Sequence, residues 1–232
     1  IRTLAITFGM LAYSLSGFMI VWLGHPHFKT ATWLPWLFLS VYMLINKKSA
    51  AIPIGIASFA LTLLSGHIET ALHTISVALL YWLILIFREQ STHKGSITGK
   101  LLVILCISIM LTGAMTAPFA EYLVNSVAYA TRAEGVVTQG WLDPILSLSA
   151  LMPDVFGNNA TGDYWYPGFN SAEVGGCFCG AITVLLALFA LVKHRKNSEV
   201  ISHFSLAVLT GLTAFGIPPV YQIVTMLPGY QM

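Results

Sequence analysis

Apolar residues along this chain come in long runs separated by short polar stretches, without the two-residue alternation of half-buried strands. Seven runs stand out: Leu4 to Leu23, Trp33 to Ile45, Ala50 to Leu64, Ala71 to Phe87, Leu101 to Ala117, Phe178 to Val192 and Ile201 to Ile217. A bilayer core takes about 20 residues of helix, so the runs predict membrane-spanning helices, the second and third of them short. The expected fold is all-α: a polytopic transmembrane helical bundle of about seven spans with a large external loop region. Spans one to five fill residues 1–117, loops with short interfacial helices fill 118–177, and the last two spans and the start of a further external segment fill 178–232.

Composition points the same way. Of 232 residues, 56% are hydrophobic and 9% charged, and the mean hydropathy is +0.78, well above the roughly 45–50% apolar share of soluble domains. A net charge of +2 is too small to imply a nucleic-acid partner. Cys106, Cys177 and Cys179 lie in or beside apolar stretches, which fits buried thiols better than a disulfide framework or a metal site. The chain opens on Ile1 and stops at LPGYQM, and both ends lead us to expect an internal piece of a larger multipass protein.

The position of the basic residues gives an orientation, because Lys and Arg accumulate on the cytoplasmic side. If every run crosses and Arg2 is inside, then Lys47, Lys48, Arg88, Lys94, Lys100 and the Lys193, Arg195, Lys196 group are inside too. Only Lys29 and Arg132 of the 11 basic residues then fall outside. The acids reverse this, with Glu69, Glu121, Glu134, Asp143, Asp154, Asp163 and Glu173 outside and only Glu89 and Glu199 inside. The outer face also receives GHPHFKT (24–30), SGHIET (65–70) and the long stretch 118–176. That stretch exceeds a credible structureless loop, so short helices are expected in it, one of them over Leu142 to Met152.

Three clusters on that face carry candidate chemistry. In SGHIETALHT, Gly66 is a possible N-cap with Glu69 at the third helical position, where a carboxylate meets free N–H groups. That bland reading leaves His67 and His73 unexplained, and ionisable groups at membrane depth commonly line a site. GHPHFKT adds His25, His27 and Lys29. These imidazoles and the acid could ligate a divalent metal, but no HExxH, paired-Cys or DxD pattern exists, and a phosphate or pyrophosphate suits the His and Lys donors better. In PDVFGNNATGDYWYPGFNSAEVGG, Asp154, Asn158, Asp163, Asn170 and Glu173 can hydrogen-bond a sugar or polyol while Tyr164, Trp165 and Tyr166 stack on it. The competing reading is an ordered loop built on Asx turns.

The order of these elements, AYSLSGFMIVWLGHPHFKTATWLPW, LLSGHIETALHTISVALLYWL, LMPDVFGN, YWYPGFNSAEVGG and MLPGY, resembles the YfhO family of bacterial multipass membrane proteins. Glu69 stands where that family more often has Gln. The resemblance implies a GT-C type fold in the bacterial cell (inner) membrane, and transfer of a sugar from a polyprenyl-phosphate donor to a cell-envelope polymer or lipid on the external face. It further implies a catalytic acid in the first external loop of the full protein, upstream of Ile1. Within this chain, His25, His27 and His67 are then expected around the donor phosphate, with Asn158, Asn170 and Glu173 building the polar site. Asp154 and Glu69 are the fallback general bases within this chain, no cofactor is implied beyond the divalent metal weighed above, and membrane lipids are the remaining partners. A transporter or lipid flippase would place its polar residues nearer the midplane and repeat broken spans in two halves. A non-catalytic envelope scaffold predicts that His67 and Glu69 are dispensable for glycosylation.

Overall fold

In the absence of water, only helices satisfy a spanning backbone from within one segment, and the chain is helical wherever its apolar runs occur. The structure, a computed structural model, describes residues 2–88, 94–122, 125, 142–158, 160–166 and 171–226. No strand occurs among them. The helices are α1 (Arg2–Ser14), α2 (Gly17–Val21), α3 (Pro26–Ala31), α4 (Leu34–Ile45), α5 (Ala51–Leu63), α6 (Ile68–Arg88), α7 (Lys94–Thr116), α8 (Ser171–Gly176), α9 (Ala181–Lys193), α10 (Ser198–Ala214) and α11 (Val220–Thr225). Two 3-10 helices, Ala117–Phe119 and Pro144–Ala150, accompany them. The second falls inside the stretch expected to hold a short interfacial helix.

Among the described residues three stretches are long and apolar enough to cross a membrane: Pro26–Ile45 with 20 residues, Ile68–Arg88 with 21 and Lys94–Tyr122 with 29. At about 1.5 Å per residue each reaches the roughly 30 Å of a hydrocarbon core. Thr3–Ser14, Ala51–Leu63 and Ala181–Lys193 are apolar but shorter.

The run from Leu4 to Leu23 is not one helix. It breaks between Ser14 and Gly17 because Ser16 is extended (φ −64°, ψ 153°) and the Gly17 N–H donates to the Phe178 carbonyl at 2.6 Å. The run that begins at Trp33 is conversely extended, since α3 leads into α4 through a single turn at Thr32 and Trp33.

The chain divides into two spatial units that cut across the three sequence segments: Ile1–Phe28 with Trp141–Ser205, and Lys29–Gly140 with Leu206–Met232. The second unit is built on α4 to α7. Each of these helices turns one face inward, as Ala71, Thr74, Ala78, Tyr81 and Leu85 do on α6 and Ile97, Leu101, Ile104 and Ser108 on α7. Leu37, Leu44, Phe59, Ala78 and Ile104 form the centre of this core.

Helices in lipid gain little from hydrophobic burial and associate through close packing of small residues. Gly55 serves this purpose: a Cβ there would lie 2.6 Å from the Ser40 hydroxyl and 2.9 Å from Ile104 Cδ1. The buried hydroxyls find backbone carbonyls, Ser40 donating to Ala51 at 3.1 Å and Ser108 to Ile56 at 3.2 Å and Ile104 at 2.7 Å. The outward face of α7, with Leu102, Val103, Ile109, Met110 and Met115 exposed, is the surface that acyl chains cover in a bilayer.

Between α4 and α5 the chain turns on Lys47 (φ 56°), whose N–H donates to Leu44 while that of Lys48 donates to Met43. This pairing closes the α4 carbonyls, and it sets both ammonium groups at a helix C-terminus, where the dipole favours them.

Candidate functional site

In the first unit, the segment from Leu142 to Tyr166 folds around Phe156. Asp143 opens the 3-10 helix by accepting from the Ile145 N–H at 3.0 Å, with Pro144 preset for the first helical position. Phe156, Leu146 and Val174 are buried together, with Tyr164 and Tyr166 packed against them. The Tyr166 ring lies 5.1 Å from that of Phe156, and its hydroxyl donates to Asp143 at 2.7 Å. Trp165 stays exposed, 5.4 Å from the Phe156 ring. The aromatic trio expected to stack on a sugar therefore splits: Tyr164 and Tyr166 belong to a local core and Trp165 faces outward.

The turn from Asp154 to Asp163 is cross-braced by its own side chains. Gly157 has φ +74°, a conformation that costs glycine nothing, and a Cβ there would overlap the Asp163 carbonyl. The Asn158 Nδ2 donates to Asp154 Oδ1 at 3.0 Å, and its Oδ1 accepts from the Thr161 N–H at 3.0 Å. Those two bonds fix the orientation of the Asn158 amide. The Asn158 N–H in turn donates to Asp163 Oδ1 at 3.0 Å, and the Thr161 hydroxyl donates to the same oxygen. The loop is thus built on the Asx-type turns its sequence allows, with Asp154 and Asn158 bonded to each other.

These donors set the local acidity. The Thr161 hydroxyl, and next the Asn158 N–H, hold the Asp163 carboxyl below its ordinary value. The Ile145 N–H, and next the Tyr166 hydroxyl, do the same for Asp143, while the bond to Asp143 raises the Tyr166 phenol.

Asp154 and Asn158 stand at the edge of a cavity of about 530 Å³ within this unit. One wall is apolar: Leu15 from the end of α1, and Ile20 and Val21 from α2. Phe178 and Pro153 continue it, and Gly17, Gly157 and Gly175 leave it open by lacking side chains. Sequence reasoning found Asp154 and Asn158 but not Leu15, Ile20, Val21 or Phe178, whose apolar character is that of any span.

His25 and His27 also lie in this unit, one turn beyond the cavity wall. Gly24 (φ +91°) folds the chain back, so that His27 stacks on Trp22 at 4.3 Å and His25 meets the same indole edge-on at 5.6 Å. The two imidazoles are 6.4 Å apart. Glu173 is on α8 by its backbone, and Asn170 lies outside the described residues, as do Glu89, Arg132 and Glu134.

His67 and Glu69 belong to the second unit, at the start of α6. Here the cap is His67 rather than Gly66: α6 begins at Ile68, and the His67 Nδ1 accepts from the Thr70 N–H at 3.2 Å and lies 2.9 Å from its hydroxyl. Gly66, with φ +92°, makes the preceding turn. Glu69 falls at the second helical position, exposed, where its charge complements the helix dipole. His73 follows one turn later on the same face. Among the described residues no group of three or more His, Cys, Asp or Glu side chains is placed to hold a metal ion.

The chain matches no protein-family model, no curated protein and no solved structure.

Proposed function

We propose that this chain is part of a GT-C type integral-membrane glycosyltransferase resembling the YfhO family, with about seven crossings and its polar site on the external face of a bacterial inner membrane. It transfers a sugar from a polyprenyl-phosphate donor to a hydroxyl of a cell-envelope acceptor. The observation that carries this reading is the pairing of Asp154 with the oriented Asn158 amide at the edge of an apolar-walled cavity. An acid held by an orienting partner, beside a space that a reacting group can enter, is the arrangement general-base chemistry requires. The distribution of basic residues supports an outer-face position for that loop when every apolar run is counted as a crossing.

In the proposed step the acceptor hydroxyl gives its proton to a carboxylate as its oxygen bonds to the sugar's anomeric carbon. The bond from that carbon to the phosphate oxygen breaks, and polyprenyl phosphate leaves. Asp154 is the base this chain offers first and Glu69 the second; His25 and His27, in the same unit as the cavity, are the imidazoles proposed to donate to the departing phosphate.

The test is transfer of labelled sugar from polyprenyl phosphate by the full-length protein in membranes. Replacing a positioned general base typically costs about 10²–10⁴-fold, so Asp154→Asn should lose activity on that scale while retaining the parent's melting behaviour. Undiminished transfer by a folded Asp154→Asn protein removes Asp154 from the mechanism, and loss in Glu69→Gln alone assigns the base to Glu69. No sugar transfer by the parent from any polyprenyl-phosphate donor overturns the reading.

A further inference from the structure

The residues that line the cavity differ in charge from what a phosphate needs. Its apolar wall is Leu15, Ile20, Val21 and Phe178, and its charged lining group among the described residues is the Asp154 carboxylate. No Lys, Arg or His is among the described residues that line it. A phosphate there would meet a like charge and no cation, which disfavours it. A hydroxyl, by contrast, can donate to the carboxylate, which already accepts at Oδ1 from Asn158 and has lone pairs on both oxygens. The imidazoles suited to an anion, His25 and His27, are outside this lining, held against Trp22 beyond Val21.

From this charge distribution we infer that the cavity binds an uncharged, hydroxyl-bearing amphiphile, its hydroxyls on Asp154 and its chain along Leu15, Ile20 and Val21. Resting on the transferase reading, this makes the cavity the acceptor side of the site rather than the seat of the donor phosphate. The shape agrees: about 530 Å³ is within the range of small-molecule sites, which are largely apolar with a few placed polar groups. It holds a headgroup and part of one chain, with the rest of the chain passing to lipid along the exposed side of α1, where Leu4, Met10 and Leu11 face outward.

The experiment uses the full chain in lipid nanodiscs and a chain-matched pair of photoreactive probes, a diazirine-bearing decyl glucoside and a diazirine-bearing decyl phosphate. Adducts are mapped by peptide mass spectrometry. The glucoside should label the segments that contain Val21, Ala160 and Phe178, and the phosphate should label them about fivefold less, the scale of one like-charge contact in water. Asp154→Lys should reverse the preference, and Asp154→Asn should abolish it. Ala160→Trp, at an exposed lining position, should block the glucoside without disturbing the fold.

Free glucose should compete far less than octyl glucoside; equal competition would mean a soluble sugar ligand and would overturn the inference. Equal or preferred labelling by the phosphate, or labelling indifferent to both Ala160→Trp and Asp154→Lys, overturns it too. Transfer is read separately. Selective labelling without sugar transfer removes the transferase reading and leaves the cavity assignment standing, whereas Asp154-dependent transfer without selective labelling does the reverse.

Discussion

Gly17 and Phe178 are joined backbone to backbone, the Gly17 N–H donating to the Phe178 carbonyl at 2.6 Å across 161 residues of sequence. This bond holds the start of α2 against Phe178, so that Ile20, Val21 and Phe178 share one cavity lining. A Cβ at Gly17 would overlap the Gly175 carbonyl oxygen and lie 2.8 Å from the Phe178 Cβ.

Gly17→Ala should therefore destabilise the first unit by about 1–3 kcal/mol, the usual cost of overpacking. Gly9→Ala is the control: nothing lies within 4 Å of its Cβ, and Ala is the better helix former by roughly 1 kcal/mol. Unfolding of both variants in mixed micelles with rising denaturing detergent checks the pair, and the expected signs are opposite.

The first turn of α6 gives a second prediction. Removal of the acceptor in His67→Ala should cost about 0.5–2 kcal/mol, as loss of a side-chain cap usually does. His67→Asn should restore most of it, because the Asn oxygen also accepts from the Thr70 N–H. If Asn restores both stability and sugar transfer, His67 acts as a cap; if it restores stability alone, the imidazole also meets substrate.

Acid should disorder the loop around Phe156 late. The Asp143 and Asp163 carboxyls are held below their ordinary value by the bonds described. Their folded forms prefer the charged state, so the stability they add is full above the ordinary carboxylate range and is lost as pH falls through the lowered folded values. Protection of the Trp165 amide, which donates to the Phe156 carbonyl at 3.1 Å, should stay level from neutral pH into the ordinary carboxylate range. It should decline from that range down to the lowered folded values, and Asp163→Asn should remove the dependence that Asp163 contributes.

Thiol chemistry provides a fourth test. Burial pushes the Cys177 thiol up, against an opposing hydrogen bond with Ser149. Because the thiolate is the reactive form, Cys177 should alkylate more slowly at neutral pH than a free thiol in an unfolded peptide of the same sequence. Iodoacetamide rates measured across pH, with Cys106 and Cys179 replaced by Ser, check this; rates equal to the peptide's would contradict it.

Much of the helix inventory was legible in the sequence because lipid imposes a single rule, that apolar backbone be satisfied within its own helix. The runs beginning at Ala50, Ala71 and Leu101 became α5, α6 and α7 with ends shifted by a few residues. Asp154 and Asn158 were legible for a related reason: polar side chains amid turn formers stand out where 56% of the chain is hydrophobic.

What the sequence could not carry depends on contacts between distant residues. The break at Ser16 follows from Gly17 pairing with Phe178, a partner no local pattern names. Tyr164 and Tyr166 read as sugar platforms until Phe156 claimed them for a core. That His67 caps α6, its Nδ1 accepting from the Thr70 N–H, was not legible either, because it takes helical geometry to bring the two into reach. The sequence by itself determined that the chain is helical and where its apolar segments lie, since these depend on composition and short-range backbone bonding. Tertiary structure alone decided which polar groups share a cavity and which are spent on capping and bracing, because that choice is made by whatever each side chain meets once the helices pack.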